Sequence, residues 1–197
     1  MEVGIVDMYR SELGCLNLVN ALKRIGVNIV VYHIIDKKVN LVRLIAQSQI
    51  KHWVFTGSDQ SIYATHSPQI PMNIFNIFGK RFLLICYSME SVLKQLGYPV
   101  LKRYERKKEL FKLHLQKTKV LLAGREDLFK YISDPAIYKR NHQYYTPVTN
   151  MNKQIYEVAS YRGELMIVFY KNAVMTQFHP ENTIAGKRLI QNWLYEK

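Results

Sequence analysis

A chain of 197 residues, 48% hydrophobic and 22% charged, has the length and balance of one well-cored globular domain, and 1–197 reads as a single unit without a linker, repeat or low-complexity tract. No apolar run approaches the roughly 18 to 20 residues of a membrane span, and the start MEVGIVD is a strand without a basic leader, so a cytoplasmic location is expected. Two cysteines, Cys15 and Cys86, are too few for a disulfide framework and are expected as reduced thiols, while the net charge of +13 raises polyanion binding as a possibility to be judged on where the charges lie.

Val3 to Asp7 is a short buried strand. Leu16, Val19, Leu22 and Ile25 then recur on one face of a helix over Leu13 to Ile25, which Gly26 ends. Asn28 to Ile35 reads as a second continuous apolar strand, Leu41 to Ile50 as a helix, and His52 to Thr56 as a third strand running into Gly57-Ser58. Phe82 to Ile85 is a fourth, and Met89, Val92, Leu93 and Leu96 follow at helical spacing until Gly97. Alternation of strands and helices at about thirty residues per unit predicts right-handed crossovers and an α/β fold, a flavodoxin-like, mostly parallel sheet with helices on both faces. Ligand sites in such sheets lie at the carboxyl ends of the strands, where Asp7, Gly57 and Cys86 fall.

After Gly97 the pattern changes. Tyr98 to Tyr104, Leu110 to Leu115, Lys119 to Ala123, Ile155 to Tyr161 and Leu165 to Tyr170 read as strands between short polar turns, with Tyr161-Arg162-Gly163-Glu164 the clearest hairpin. Glu126 to Ile132 reads as a helical turn and Tyr138 to Tyr145 as an extended active-site loop. The second half therefore adds a smaller antiparallel β part. Ala173 to Phe178 returns as a strand and Thr183 to Tyr195 as a closing amphipathic helix. The densest positive cluster, Lys102, Arg103, Arg106, Lys107 and Lys108, leads into ELFKLHLQK, where charged and apolar residues mostly alternate as on a half-buried strand. Stacking aromatics are not interleaved there, so a solvated basic face, or a surface for an acidic protein or anionic ligand, is expected ahead of nucleic-acid binding.

Two short stretches carry chemistry. Cys86 sits at a strand-to-helix turn, which projects a side chain above the sheet edge next to the free N–H groups and positive end of a helix, and both favour a thiolate. A cysteine nucleophile needs a base, and the base needs a partner to hold its tautomer. His179 and Glu181, two apart around Pro180, suit that pair. Taken singly, each has a plainer reading, a buried cysteine and a loop with a capping glutamate. Their combination is what points to a site.

ICYSM around Cys86, FTGSDQSIY from Phe55 to Tyr63 and TQFHPE from Thr176 to Glu181 together resemble the class I glutamine amidotransferases, which hydrolyse glutamine and deliver ammonia. The cysteine stretch is most similar to the glutaminase domain of GMP synthetases, whose elbow commonly reads GICYGMQ, and RNHQYY from Arg140 is similar to the NHG stretch of the carbamoyl-phosphate synthetase small subunit. The resemblance implies Cys86 as nucleophile, His179 as general base and acid, and Glu181 as its orienting carboxylate. It implies oxyanion donors from the N–H groups of Tyr87 and of Ser58 in the Gly57-Ser58 turn. Met89, Glu90 and the Arg140 to Tyr145 loop, including Asn141, His142 and Tyr144, would line the substrate pocket. No cofactor or metal is implied. Glutamine or a γ-glutamyl compound would be the substrate, and ammonia would pass to a separate synthetase polypeptide.

The chain departs from the family pattern at four places. The elbow has Leu84 and Ser88 where the family has glycine, the oxyanion turn reads Gly57-Ser58-Asp59 in place of Gly-Gly-Pro, and Glu90 replaces a glutamine of the pocket. A stand-alone glutaminase, a non-catalytic regulatory homologue and a hydrolase of γ-glutamyl amides are all consistent with these residues, the first being the leading reading.

Overall fold

The computed structural model describes residues 1–11, 14–34, 40–149 and 154–196. In chain order these form β1 (Glu2–Asp7), α1 (Leu16–Ile25), β2 (Asn28–His33), α2 (Leu41–Gln47), β3 (His52–Phe55), β4 (Arg81–Ile85), α3 (Tyr87–Gln95), β5 (Leu101–Leu113), α4 (Lys117–Leu122), β6 (Ala136–Tyr145), β7 (Tyr156–Tyr161), β8 (Glu164–Tyr170), β9 (Ala173–Thr176) and α5 (Ile184–Tyr195). A seven-stranded sheet has the order β2-β1-β3-β4-β9-β8-β7, and β5 pairs with β6 in a separate two-stranded sheet. The first five strands in that order are parallel, whereas β8 and β7 are antiparallel additions at one edge. The expected architecture is thus present.

Alternation along the strands divides the core into two layers. Ile5, Val54, Leu83, Ile85 and Val174 point to one side, where they pack with Leu18 and Leu22 of α1 and Leu189, Ile190 and Trp193 of α5. Val6, Trp53, Phe55, Phe82, Leu84 and Met175 point to the other, against Ile45 of α2 and Val92 and Leu93 of α3. The small β5–β6 sheet is anchored through Phe111 and Tyr138 onto Phe178, with the Tyr138 and Phe178 ring centroids 4.1 Å apart. A side chain adjacent to His179 therefore fixes the second sheet over the first.

Several expected elements differ. The Leu13 and Ile35 ends of the predicted first helix and second strand lie outside the described residues. Strand β2 is the sheet edge and its residues after Asn28 are half-buried, so its apolar run does not mark a fully covered strand. Lys119 to Ala123 is not a strand but part of α4, with Val120 buried and Leu121 and Leu122 62% and 73% exposed. A short apolar run cannot by itself separate strand from helix, and here the bond from Val120 N–H to the Gln116 carbonyl commits the backbone to helix. Tyr98–Tyr104 and Leu110–Leu115 merge into one strand, β5, with an irregular register between Lys102 and Lys107. Tyr138 to Tyr145 is ladder, not loop, because β6 pairs with β5 along its length. The Tyr161–Glu164 hairpin forms as read, with consecutive positive φ at Arg162 and Gly163, the backbone of a tight primed turn.

The packing predicts a contrast between two leucines. Leu83→Ala should cost about 2–5 kcal/mol, whereas Leu122→Ala, on the exposed side of α4, should stay within about 0.5 kcal/mol, both read by urea denaturation. Equal losses would put the 119–123 run back in the core.

Candidate active site

The carboxyl end of β4 runs directly into α3, and Cys86 makes the turn with φ 52 and ψ −107. A non-glycine residue there carries strain on the order of 1–3 kcal/mol, so its neighbours must hold it. They do so on both sides. Cys86 N–H donates to the Thr176 carbonyl of β9 at 2.7 Å, and Glu90 N–H donates to the Cys86 carbonyl at 3.0 Å as the helix starts. Leu84, in place of a glycine, is fully buried in the layer facing α2 and α3, and the Ser88 hydroxyl donates to the Thr56 carbonyl at 2.5 Å, tying the first turn of α3 to the end of β3. The elbow thus forms without those glycines.

His179 follows β9 and is buried. Its Nδ1 is 2.9 Å from Glu181 Oε1, and Pro180 starts the turn that brings the carboxylate back. The segment is held from behind by α5. A Cβ on Gly186 would lie 2.1 Å from the Pro180 carbonyl oxygen, so only glycine lets the helix approach, and Thr183 Oγ1 caps it by accepting from Gly186 N–H at 3.1 Å. The imidazole lies over Gly57, where a Cβ would meet Cε1 at 3.0 Å. Cys86 and His179 line the same cavity at the ends of the paired strands β4 and β9, and each shifts the other's titration.

The charges are set by burial and by these contacts. Burial opposes a charged His179, but the Glu181 carboxylate, with the bonds to Cys86 and Glu181, outweighs it and raises the imidazole well above its ordinary range. Burial pushes the Cys86 thiol up and the Glu90 carboxylate adds to this, while His179 and the Tyr87 N–H work against it. The turn and helix terminus expected to favour a thiolate at Cys86 are thus opposed by burial. Burial likewise lifts Glu90 to about 7, against the bond from Gln177 and the charges of His179 and Arg106. Gln177 Nε2 donates to Glu90 Oε1 at 2.8 Å and lies 3.9 Å from Cys86 Sγ, so one amide bridges the two buried acids.

A cavity of about 100 Å³ opens above Cys86. Ser58, Tyr87, Glu90, Asn141, His142 and Tyr144, all singled out in the sequence, line it. Met89 does not, being fully buried between α3 and the sheet. Gly57 is the floor under His179 rather than a wall. Arg140 is also turned away, held in a buried ion pair with Glu164 at 3.2 Å. His142 is buried, and burial drops it to about 4; its Nδ1 meets the Tyr144 carbonyl at 2.6 Å. Asp7 is structural, since Oδ1 accepts from Tyr9 N–H and Thr56 Oγ1, each at 3.2 Å, and Oδ2 is 3.0 Å from His33 Nδ1.

Sequence reasoning missed Tyr9, Asp59, Gln60 and Arg106 in the cavity wall, and Gln177 behind it. Tyr9 and Asp59 could have been found, because they follow directly on two strand ends that belong to the ligand edge. Arg106 reaches the mouth from the irregular stretch of β5, which a strand pattern does not disclose. Among the described residues no cluster of three His, Cys, Asp or Glu side chains could hold a metal, and no helix is long and apolar enough to cross a membrane.

The family profile of glutamine amidotransferase class-I matches residues 5–197. The glutamine-hydrolyzing GMP synthase of Finegoldia magna is 30% identical over 149 residues, covering 73% of this chain and 27% of that protein. That of Aquifex aeolicus is 23% identical over 177 residues, covering 75% and 31%. The chain spans less than a third of the length of these curated relatives. Among solved structures, a protein of Thermoplasma acidophilum described as one subunit of a GMP synthase superposes with TM-score 0.72 at 16% identity, covering 99% of this chain and 92% of that one. A glutamine amidotransferase from Thermotoga maritima gives 0.63 at 16%, covering 100% and 83%. The likeness to those two structures is one of fold, while the profile match across nearly the whole sequence carries the relationship: this chain belongs to the class I glutamine amidotransferase family.

Proposed function

We propose that the chain, acting as one domain over 1–197, is the glutaminase part of a two-part amidotransferase and hydrolyses glutamine through Cys86, His179 and Glu181. The observation that carries this reading is that Cys86 shares one cavity with an imidazole that Glu181 holds at 2.9 Å. In its neutral form His179 takes the thiol proton as Sγ attacks the side-chain amide carbon, and the carbonyl π pair moves to oxygen. The tetrahedral intermediate faces the N–H groups of Tyr87 and Ser58. On collapse the C–N bond breaks, and the nitrogen leaves as ammonia with the proton from His179. A water then gives a proton to His179 and attacks the γ-glutamyl thioester, and glutamate leaves as the thiol is restored. Ammonia passes to a synthetase on a separate polypeptide.

Glu90 supports glutamine as substrate more than its charge suggests. With its carboxyl held near 7 and turned toward Gln177, it is partly neutral at physiological pH and presents an amide-like group where the family has glutamine. An ionised Glu90 would repel the substrate carboxylate and disfavour the thiolate.

Purified chain incubated with glutamine should release glutamate in a dehydrogenase-coupled assay, alone or with the ATP-pyrophosphatase part of a GMP synthetase. Cys86→Ala should lower the rate by at least about 10³-fold, and Glu181→Gln by about 10²–10⁴-fold. Wild-type rates unaffected by Cys86→Ala would remove the reading.

Glu90 also has a stability signature. Its folded value lies above the ordinary carboxylate range, so the folded state holds the proton more tightly and stability falls as pH rises from about 4.5 toward 7. Glu90→Gln removes this loss. The variant should gain on the order of 2–3 kcal/mol relative to wild type between pH 4 and pH 8, measured by denaturant titration, and Cys86 should alkylate faster above neutral pH. A pH-independent difference would show that Glu90 ionises freely in the folded chain.

A further inference from the structure

Tyr9 is a cavity-lining aromatic held on glycines from two sides. Its ring lies so close to Gly14 that a Cβ there would be 2.2 Å from Cγ, and its hydroxyl lies over Gly57, 2.9 Å from where a Cβ would stand. That same point above Gly57 is 3.0 Å from His179 Cε1 and 3.5 Å from Nε2. The phenol and the imidazole thus converge over one glycine, in the cavity that also contains Cys86, Tyr87 and Ser58. Among the described residues the hydroxyl makes no hydrogen bond to protein, so its proton is available to a ligand.

The loop carrying Tyr9 is fastened to the turn after β3 by three bonds. Met8 N–H donates to Thr56 Oγ1 at 2.8 Å, Ser58 Oγ donates to the Met8 carbonyl at 2.7 Å, and Arg10 N–H donates to Asp59 Oδ1 at 3.2 Å. Residues on either side of Tyr9 are clamped to residues on either side of Gly57. Two of the clamps, Ser58 and Asp59, are the side chains by which this turn departs from Gly-Gly-Pro. The substitutions give the turn the tethers that set a tyrosine over it.

We propose that Tyr9 is a further catalytic residue, whose hydroxyl donates a hydrogen bond to the substrate's side-chain carbonyl oxygen and stabilises the oxyanion beside the backbone N–H groups of Tyr87 and Ser58. This rests on the glutaminase reading given above. Burial, reinforced by Cys86 and Glu181, raises the phenol above its ordinary range, so it remains a donor while the thiol ionises. Such a donor acts on charge that develops only in the transition state, so its loss falls on kcat more than on KM.

The test compares Tyr9→Phe with wild type in glutamate release and in alkylation of Cys86 by chloroacetamide. In that displacement an Sγ–C bond forms as C–Cl breaks and chloride leaves, without an oxyanion. Tyr9→Phe should lower kcat about 10²-fold with KM within about threefold, and leave the alkylation rate and the melting temperature unchanged. Ser58→Ala, which keeps the backbone N–H but cuts the tether to Met8, should lose about tenfold, and no more when added to Tyr9→Phe. Unchanged kcat in Tyr9→Phe would overturn the assignment and leave the Cys86 mechanism standing. Parallel losses in kcat and alkylation would overturn it by showing that Tyr9 only positions the thiol and imidazole. Absence of Cys86-dependent glutamate release from wild type would overturn both this assignment and the reading beneath it.

Discussion

The structure depends on how one strained residue is held. Cys86 has a backbone conformation that an isolated chain avoids, and it keeps it because the β9 carbonyl and the first bond of α3 fix its two peptide groups in opposite directions. One anchor belongs to the parallel part of the sheet and the other to the helix that follows the turn. The same β9 strand that binds the Cys86 N–H ends two residues before Phe178, which His179 follows, so the distance between thiol and imidazole is set by sheet register rather than by loop conformation. Groups placed just past the ends of adjacent parallel strands are held more firmly than groups far out on loops.

Enclosure has a second effect. A buried thiol, a buried imidazole and two buried carboxylates cannot all be charged independently, and the site distributes charge through specific bonds. Glu181 commits to His179, while Glu90 is held by Gln177 and stays close to neutrality. Burial raises the thiol, and on the proposed mechanism it ionises by passing its proton to the neutral imidazole. Reactivity toward adventitious electrophiles is limited by the same burial that strengthens the hydrogen bonds of the site.

Much of this is legible in the sequence, and for definable reasons. The inner parallel strands announce themselves as apolar runs because they are covered on both faces, and the strand-to-helix turn and His-Pro-Glu are local patterns with local chemistry. What the sequence hides is of two kinds. The 119–123 run and the Tyr138–Tyr145 segment mislead because a short apolar or mixed stretch takes its secondary structure from partners outside it, Gln116 in one case and the β5 ladder in the other. The family resemblance suggests Met89 for the cavity, but helix periodicity turns it into the core and gives Glu90 the side that faces the cavity. Gln177 is invisible for the reverse reason. It lies beside Cys86 only because β9 lies beside β4.

The central claim is that Cys86 is the residue that attacks a γ-carboxamide carbon with help from His179. It is tested most directly by incubating the chain with the diazoketone analogue of glutamine, 6-diazo-5-oxo-norleucine, and locating the adduct by peptide mass spectrometry. The account predicts a single covalent adduct on the Cys86 peptide, absent from the Cys15 peptide and lost in His179→Ala. An adduct on Cys15 instead, or labelling of Cys86 that survives unchanged without His179, would contradict it.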